Sequence, residues 1–383
     1  MIGAGVLSGT SLDGIDVAIV DIRPANAGYR LETLAFEIVP FAGPLRERLL
    51  AAFPPAPLDA LALAALHAHV GAAFGAAVAR VAAGRRLDFV ASHGITLAHD
   101  GAAAITLQIG DAFRIREAAG ATVAYDFRSA DTAAGGSGAP LVPYVDALVL
   151  GDLEHDRVAL NLGGIANLTV LARGAGADSI VAFDSGPANL PIDTYIALRS
   201  SGALRFDRDG ALAREGRPDR GLLAEMLADP YFAQAAPKST GRERYGEPFV
   251  ARWRAALDAC SLGDALATLT ELAAATAATA IAAHAPPGAG VIVSGGGARN
   301  RALMERLGAL LPGMAIETSA AFGIDPDAKE AIAFAVLGYE LLRGRAAGLP
   351  AVTGARFARL LGALAPLDLE GLLMQLKREL SRS

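Results

Sequence analysis

Two apolar runs joined by a small polar turn open the chain, and the same arrangement returns halfway along. Ile2 to Leu7 is apolar, Ser8 to Gly14 is rich in turn formers, and Ile15 to Ile22 is apolar again apart from Asp16 and Asp21. Runs of strand length around a glycine-containing turn predict a β-hairpin. Arg157 to Leu162, Gly163-Gly164 and Ile165 to Leu171 predict a second one. After the first hairpin, Asp59 is placed as the N-cap of a long helix to Ala83, which Gly71 and Gly75 are expected to interrupt or soften. Phe89 to Ser92 reads as a buried strand ending in a turn at His93-Gly94. Strands follow at Ile105 to Ile109 and Thr122 to Asp126, with helices at Arg114 to Ala119 and Leu141 to Leu150. After the second hairpin come strands at Ile180 to Phe183 and Val291 to Ser294. Helices are expected at Leu190 to Ser201, Asp264 to Ala283 (capped by Asp264), Arg301 to Leu311, Lys329 to Gly344 and Leu367 to Leu380. Alternating strands and helices predict an α/β architecture. The units read as 1–150, with about 345–383 returning to it, and 151–344.

Length agrees with two units, since 383 residues at roughly 150 per domain is about two. Hydrophobic residues make up 53% and charged residues 19%, which argues against disorder. A net charge of −6 with interspersed signs and only 6% aromatics leaves no basic, base-stacking face, so no nucleic-acid partner is expected. The single cysteine, Cys260, cannot form an internal disulfide and suits a reducing compartment. No basic leader precedes the first apolar run. The alanine-rich stretches read as broken by charge or glycine before spanning length, so a cytoplasmic protein without membrane contact is expected.

Three glycine-rich turns carry candidate chemistry. In SGTSLDGID, Gly9 and Gly14 let backbone N–H groups approach an anion, and Ser8, Thr10 and Ser11 add hydroxyl donors. Asp13 and Asp16 could orient Mg²⁺ directly or through water. An ordinary hairpin turn has the same composition. NLGGIANLT puts Gly163 and Gly164 at the matching place in the second unit. SGGGARN offers Gly295, Gly296 and Gly297 for flat contact with a purine ring, and Asn300 as either a ligand contact or a helix cap. No GxxxxGK[ST] loop and no dinucleotide fingerprint occur. In FDSGPAN, Asp184 ends a buried strand and can act as a general base, or merely cap a turn. His93 closes a strand. Arg128 is a plausible anchor for an anionic substrate group, with Asp131 holding it in place, although an ordinary salt bridge is the plainer reading of both.

The ordered set SGTSLDGID, ASHGIT, LQIGD, DFRSAD, GAPLVP, NLGGIANLT, FDSGPAN, PKSTGRE, SGGGARN and VTGA resembles the anhydro-N-acetylmuramic acid kinase family, from residue 5 to about residue 362. The resemblance implies a two-lobed actin/hexokinase-like (ribonuclease H-like) fold with ATP in the interlobe cleft, and use of Mg²⁺. It implies ATP contacts along Gly9, Thr10, Ser11, Leu12, Asp13, Gly14, Ile15 and Asp16, adenosine at SGGGARN, and Asp184 as the base. It also implies a small anhydrosugar as substrate, opened by water and phosphorylated on O6 in cell-wall recycling, and a homodimer. The family usually reads SHGQT, GGQGAP and FDTGPGN, where this chain has Ile95, Ser137, Ser185 and Ala188. It often carries a histidine where this chain has Asp146. Loss of the amide at Ile95 is expected to alter the sugar side. A kinase for another anhydrosugar such as levoglucosan, and a non-catalytic nucleotide-binding protein, stay open as alternatives.

Overall fold

Small apolar residues place the first strand in the middle of a sheet. In the computed structural model, which describes all residues except 10, 11, 26, 27, 54–57, 177, 178, 382 and 383, β1 is Ile2–Ser8 and is buried almost throughout. It is flanked by β2 (Ile15–Ala25), β3 (Gly28–Val39), β4 (Phe89–Asp100), β5 (Ile105–Ile109) and β6 (Thr122–Tyr125). With the short strand Ala363–Ala365 these make a seven-stranded sheet. Its order is Ala363–Ala365, β6, β4, β1, β2, β3, and β5 pairs with the far half of β4. β1 and β2 are antiparallel, as are β2 and β3, whereas β1–β4 and β4–β6 are parallel. Strand side chains alternate between faces. Ala4 and Val6 join Val70 and Phe74 of the helix Ala60–Ala82 in one core. Gly5 points the other way, where a Cβ would lie 1.7 Å from the carbonyl oxygen of Ala331. The helix Lys329–Leu342 therefore rests directly on that face.

The second unit uses β7 (Arg157–Leu162), β8 (Ile165–Leu171), β9 (Val181–Pro187), β10 (Gly290–Ser294) and β11 (Ile316–Thr318). Their order is β11, β10, β7, β8, β9. Again the hairpin and its third strand are antiparallel, and the two later strands add in parallel. The helix Leu262–His284 serves two cores. Ala273, Ala274, Ala277 and Ile281 meet the sheet at Val158, Leu160 and Val293. Leu266, Leu269 and Leu272 meet Ile192, Tyr195 and Phe249.

Several expectations are corrected. The units are Met1–Val149 with Ala328–Ser383, and Leu150–Asp327. The helix Lys329–Leu342, read with the second unit, belongs to the first because its small residues fit the glycine-lined face of β1. β3 was not anticipated. Gly71 and Gly75 do not break their helix. A Cβ at Gly71 would stand 2.5 Å from the carbonyl oxygen of Asp111, and one at Gly75 2.7 Å from Ala118, so these glycines let the next helix, Ala112–Ala119, approach closely. The 23-residue helices Ala60–Ala82 and Leu262–His284 are both long and apolar enough to cross a membrane, contrary to the sequence reading. In the latter, 78% of the apolar window is buried inside the protein. Ser261, not Asp264, caps that helix.

Candidate active site

β9 carries Asp184 opposite Asn167, and the register slips by one residue immediately beyond it, leaving Ser185 as a bulge. Asp184 therefore does not end its strand as the sequence suggested, since β9 continues to Pro187, and the bulge re-aims side chains within it. Here the bulge is closed by the Ser185 hydroxyl, which donates to the carbonyl of Ala166 at 3.2 Å. The loop around Lys238 folds back on Asp184. The Asp184 N–H donates to the Lys238 carbonyl at 3.1 Å. Oδ2 accepts from the Ser239 hydroxyl and from the Thr240 N–H, both at 2.9 Å. The Tyr231 hydroxyl donates to the Asp184 carbonyl at 2.7 Å. Both carboxylate bonds fall on one oxygen, and Oδ1 has no hydrogen bond among the described residues of this unit. Burial pushes the Asp184 carboxyl above the ordinary aspartate range, and the Thr240 and Ser239 bonds only partly oppose it. Lys238 is tied down, donating to the carbonyls of Tyr231 and Phe232 at 3.1 and 3.0 Å. Ser239, Thr240 and Tyr231 were missed as site residues. The signal was a Ser-Thr pair in a polar loop, but nothing local to that loop points to a carboxylate 55 residues away.

In the second unit the tip at Gly163-Gly164 is tied to the start of the helix Asn189–Arg199. The Asn189 side-chain amide donates to the carbonyls of Leu162 and Gly163 at 3.0 and 2.8 Å. The glycine triplet lies against the same tip. Gly295 has φ +78° and Gly297 has no room for a side chain, since a Cβ there would stand 2.5 Å from that of Leu162. Gly296 faces open space and lines a cavity of about 370 Å³ with Arg299, Asn300, Asp207, Arg208 and Asp327. The Asn300 side chain itself caps the helix Arg301–Leu310, accepting the Leu303 N–H at 3.1 Å. Of the two sequence readings of Asn300, the cap is the one the structure displays.

In the first unit the Gly9–Gly14 tip is held differently. Thr10 and Ser11 lie outside the described residues. Leu12 has φ +53° and is fully buried. Its N–H donates to the Gly9 carbonyl at 3.1 Å and its carbonyl accepts from Arg46 at 3.0 Å. Asp13 is exposed at the tip, Gly14 and Ile15 are buried, and Asp16 is half-buried on β2. β4 does not end at His93. It runs on to Asp100, and His93 is the extra residue where the register with β1 shifts. The buried His93 accepts from Arg128 Nε at Nε2, 3.0 Å away, so the proton sits on Nδ1 beside the Gly94 carbonyl at 3.2 Å. Burial, and after it the Arg128 charge, holds His93 well below the usual imidazole range. Burial lowers Arg128 to about 10. Arg128 also donates to the Gly138 carbonyl at 2.7 Å. Asp131 does not form the expected pair with Arg128. Its oxygens accept the Gly138 N–H and the Thr353 hydroxyl, both at 2.8 Å, so it braces the loop that Arg128 contacts.

The sequence model of the family described as anhydro-N-acetylmuramic acid kinase matches residues 1–367. The anhydro-N-acetylmuramic acid kinase of Xanthomonas oryzae pv. oryzae is 46% identical over 372 residues, covering 94% of this chain and 96% of that protein. That of Streptomyces coelicolor is 42% identical over 368 residues, covering 94% and 93%. The chain belongs to the anhydro-N-acetylmuramic acid kinase family. Among solved structures, it is similar to the activator of the 2-hydroxyisocaproyl-CoA dehydratase from Clostridium difficile with bound ADPNP. That likeness has 10% identity and a TM-score of 0.45, covering 89% of this chain and 95% of that chain. A glucokinase of the ROK family from Streptomyces griseus, in complex with glucose and AMPPNP, shares 12% identity at a TM-score of 0.40, covering 89% and 100%.

The positions that depart from the usual anhydro-N-acetylmuramic acid kinase motifs are packed or hydrogen-bonded locally. Ile95 is fully buried and packs in the core with Leu12 and Ile15, so its side chain does not line a polar sugar pocket as expected. Asp146 is buried and forms an ion pair with Lys329 at 2.8 Å, which supplies the countercharge that an ammonium taken out of water needs. The Ser137 hydroxyl donates to the Ala139 carbonyl at 2.6 Å. Ala188 is fully buried.

Proposed function

We propose that this kinase uses ATP to open 1,6-anhydro-N-acetylmuramic acid and phosphorylate O6, giving N-acetylmuramate 6-phosphate and ADP in peptidoglycan recycling, with Asp184 as the base. The observation that carries the role of Asp184 is its carboxylate, with one oxygen fixed by Ser239 and Thr240 and the other left for a water. Its upward-shifted pKa makes it a better proton acceptor near neutrality than an ordinary aspartate. The water oxygen bonds to the anomeric carbon and its proton passes to Asp184. The bond from that carbon to O6 breaks, and O6 takes the γ-phosphoryl group as ADP leaves. One group attacking a sugar carbon while another oxygen departs is the logic of glycoside hydrolysis, and the phosphoryl step is mostly positioning.

The second unit's cavity at Gly296 and Asn300 is assigned to the nucleoside of ATP. Its volume falls within the range of small-molecule sites. Gly163, Gly164, Gly295 and Gly297 shape its surroundings, and the Gly9–Asp16 tip of the first unit is assigned to phosphate. No group of three or more metal-ligating side chains occurs among the described residues. Mg²⁺ bound to phosphates needs only one or two carboxylates, which Asp13 or Asp16 would offer, directly or through water. When bound it would neutralise phosphate charge. Arg128, with Nη2 free of hydrogen bonds among the described residues, is the proposed anchor of the lactyl carboxylate, oriented by His93. A cytoplasmic homodimer is proposed with this activity. The lone thiol Cys260 fits a reducing setting, and sedimentation would test the dimer.

ADP release should be measured with ATP, Mg²⁺ and, in turn, the anhydromuramyl sugar, levoglucosan and N-acetylmuramate. Turnover with the anhydromuramyl sugar alone is expected, and turnover only with levoglucosan would sink the substrate assignment. Arg128→Ala should raise KM for the anhydromuramyl sugar roughly tenfold or more, the loss of one charge-assisted pair. An unchanged KM would remove Arg128 as the anchor.

A further inference from the structure

A second cavity in the Leu150–Asp327 unit shares no lining residue with the one at Gly296. Its volume is about 570 Å³. Its wall includes Arg214, Arg220, Arg306, Glu271, Glu305 and Thr270. Two of the three arginines are neutralised. Arg306 forms a two-bond ion pair with Glu271, and Arg214 pairs with Glu305 at 3.2 Å. Arg220 has no acidic partner among the described residues, so the lining carries one uncompensated positive charge. Thr270 is 1% exposed and its hydroxyl has no hydrogen-bond partner among the described residues. Two other buried threonines of the same helix are satisfied. Thr268 donates to the Asp264 carbonyl at 2.7 Å, and Thr276 to the Ala273 carbonyl at 3.2 Å. An unpaired buried hydroxyl costs free energy that a partner in the cavity would recover.

We infer that this cavity is a second ligand site, for a small metabolite bearing one oxyanion, with Arg220 holding the charge and Thr270 bonding a polar atom of the same molecule. A guanidinium suits phosphate and carboxylate alike, and the volume is that of a sugar-sized ligand. Two probes separate the sources of the oxyanion: glucose 6-phosphate for a phosphate ester, and lactate for a hydroxy-carboxylate. Each is titrated calorimetrically into the full chain with saturating ADP and 1,6-anhydro-N-acetylmuramic acid present, which fill the nucleotide and sugar sites proposed above. Saturable binding of one probe at one site per chain is expected. Arg220→Ala should weaken it at least tenfold and Thr270→Val at least threefold, while both variants keep the turnover of the unsubstituted chain in the absence of probe. Arg220 is exposed and Thr270→Val conserves shape, so both variants should fold. Absence of saturable binding for both probes overturns the inference, as does undiminished binding in either variant.

Discussion

The two units order their central strands in the same way, yet each secures its hairpin tip by a different device. In the first, the tip between β1 and β2 is anchored from inside. Leu12 adopts a left-handed conformation so that its side chain reaches the core, and Arg46 holds its carbonyl. In the second, the shorter Gly163-Gly164 tip sends no side chain inward and is tied from outside by the amide of Asn189. Each unit also places a one-residue strand irregularity at or beside a candidate functional group, at His93 in β4 and at Ser185 next to Asp184 in β9. A common sheet thus fixes where loops emerge, whereas the side chains beyond each tip decide whether a unit presents a buried imidazole with a guanidinium or a buried carboxylate.

The sharpest way to break this division of labour is Asp184→Asn. Turnover should fall about 10³-fold, as for loss of a general base, while ADP binding measured by calorimetry persists. The variant should melt no lower than the parent. Burial raises the pKa of Asp184, so its ionisation costs stability once the pH exceeds the ordinary aspartate value of about 3.9, and a neutral amide carries no such cost. The same shift puts the acid limb of kcat/KM above that pH, and an acid limb at or below it would count against Asp184 as the base. The tips give a smaller effect. Asn189→Ala frees two carbonyls and should raise KM for ATP about fivefold, on the order of 1 kcal/mol. Arg46→Ala, which removes one bond from a tip still plugged by Leu12, should change it about twofold. Equal effects would erase the distinction between inside and outside anchoring. Ile95→Gln is the smallest test of function. It should lower stability by about 1–3 kcal/mol by burying an amide, and leave the order of preference among sugars unchanged.

The hairpins and the glycine triplet were legible because their signals are local, apolar runs and turn residues, whereas Asp184 was read as closing a strand that in fact continues to Pro187. β3 was not legible, since Arg30, Glu32 and Glu37 punctuate it and one of its edges has no partner strand among the described residues, so it reads as a polar linker. The face of Ile95 was illegible for another reason. A one-residue bulge at His93 changes which side each later residue of β4 takes, and no periodicity announces it. Ser239 and Thr240 meet Asp184 only through long-range folding, as Thr353 meets Asp131.

The first unit is discontinuous in the chain, and this orders events during synthesis. All of the second unit has left the ribosome once residue 327 emerges. The first must wait for Lys329–Leu342, the helix that covers the Gly5 face of β1. At several residues per second, its central sheet stands with one apolar face uncovered for tens of seconds.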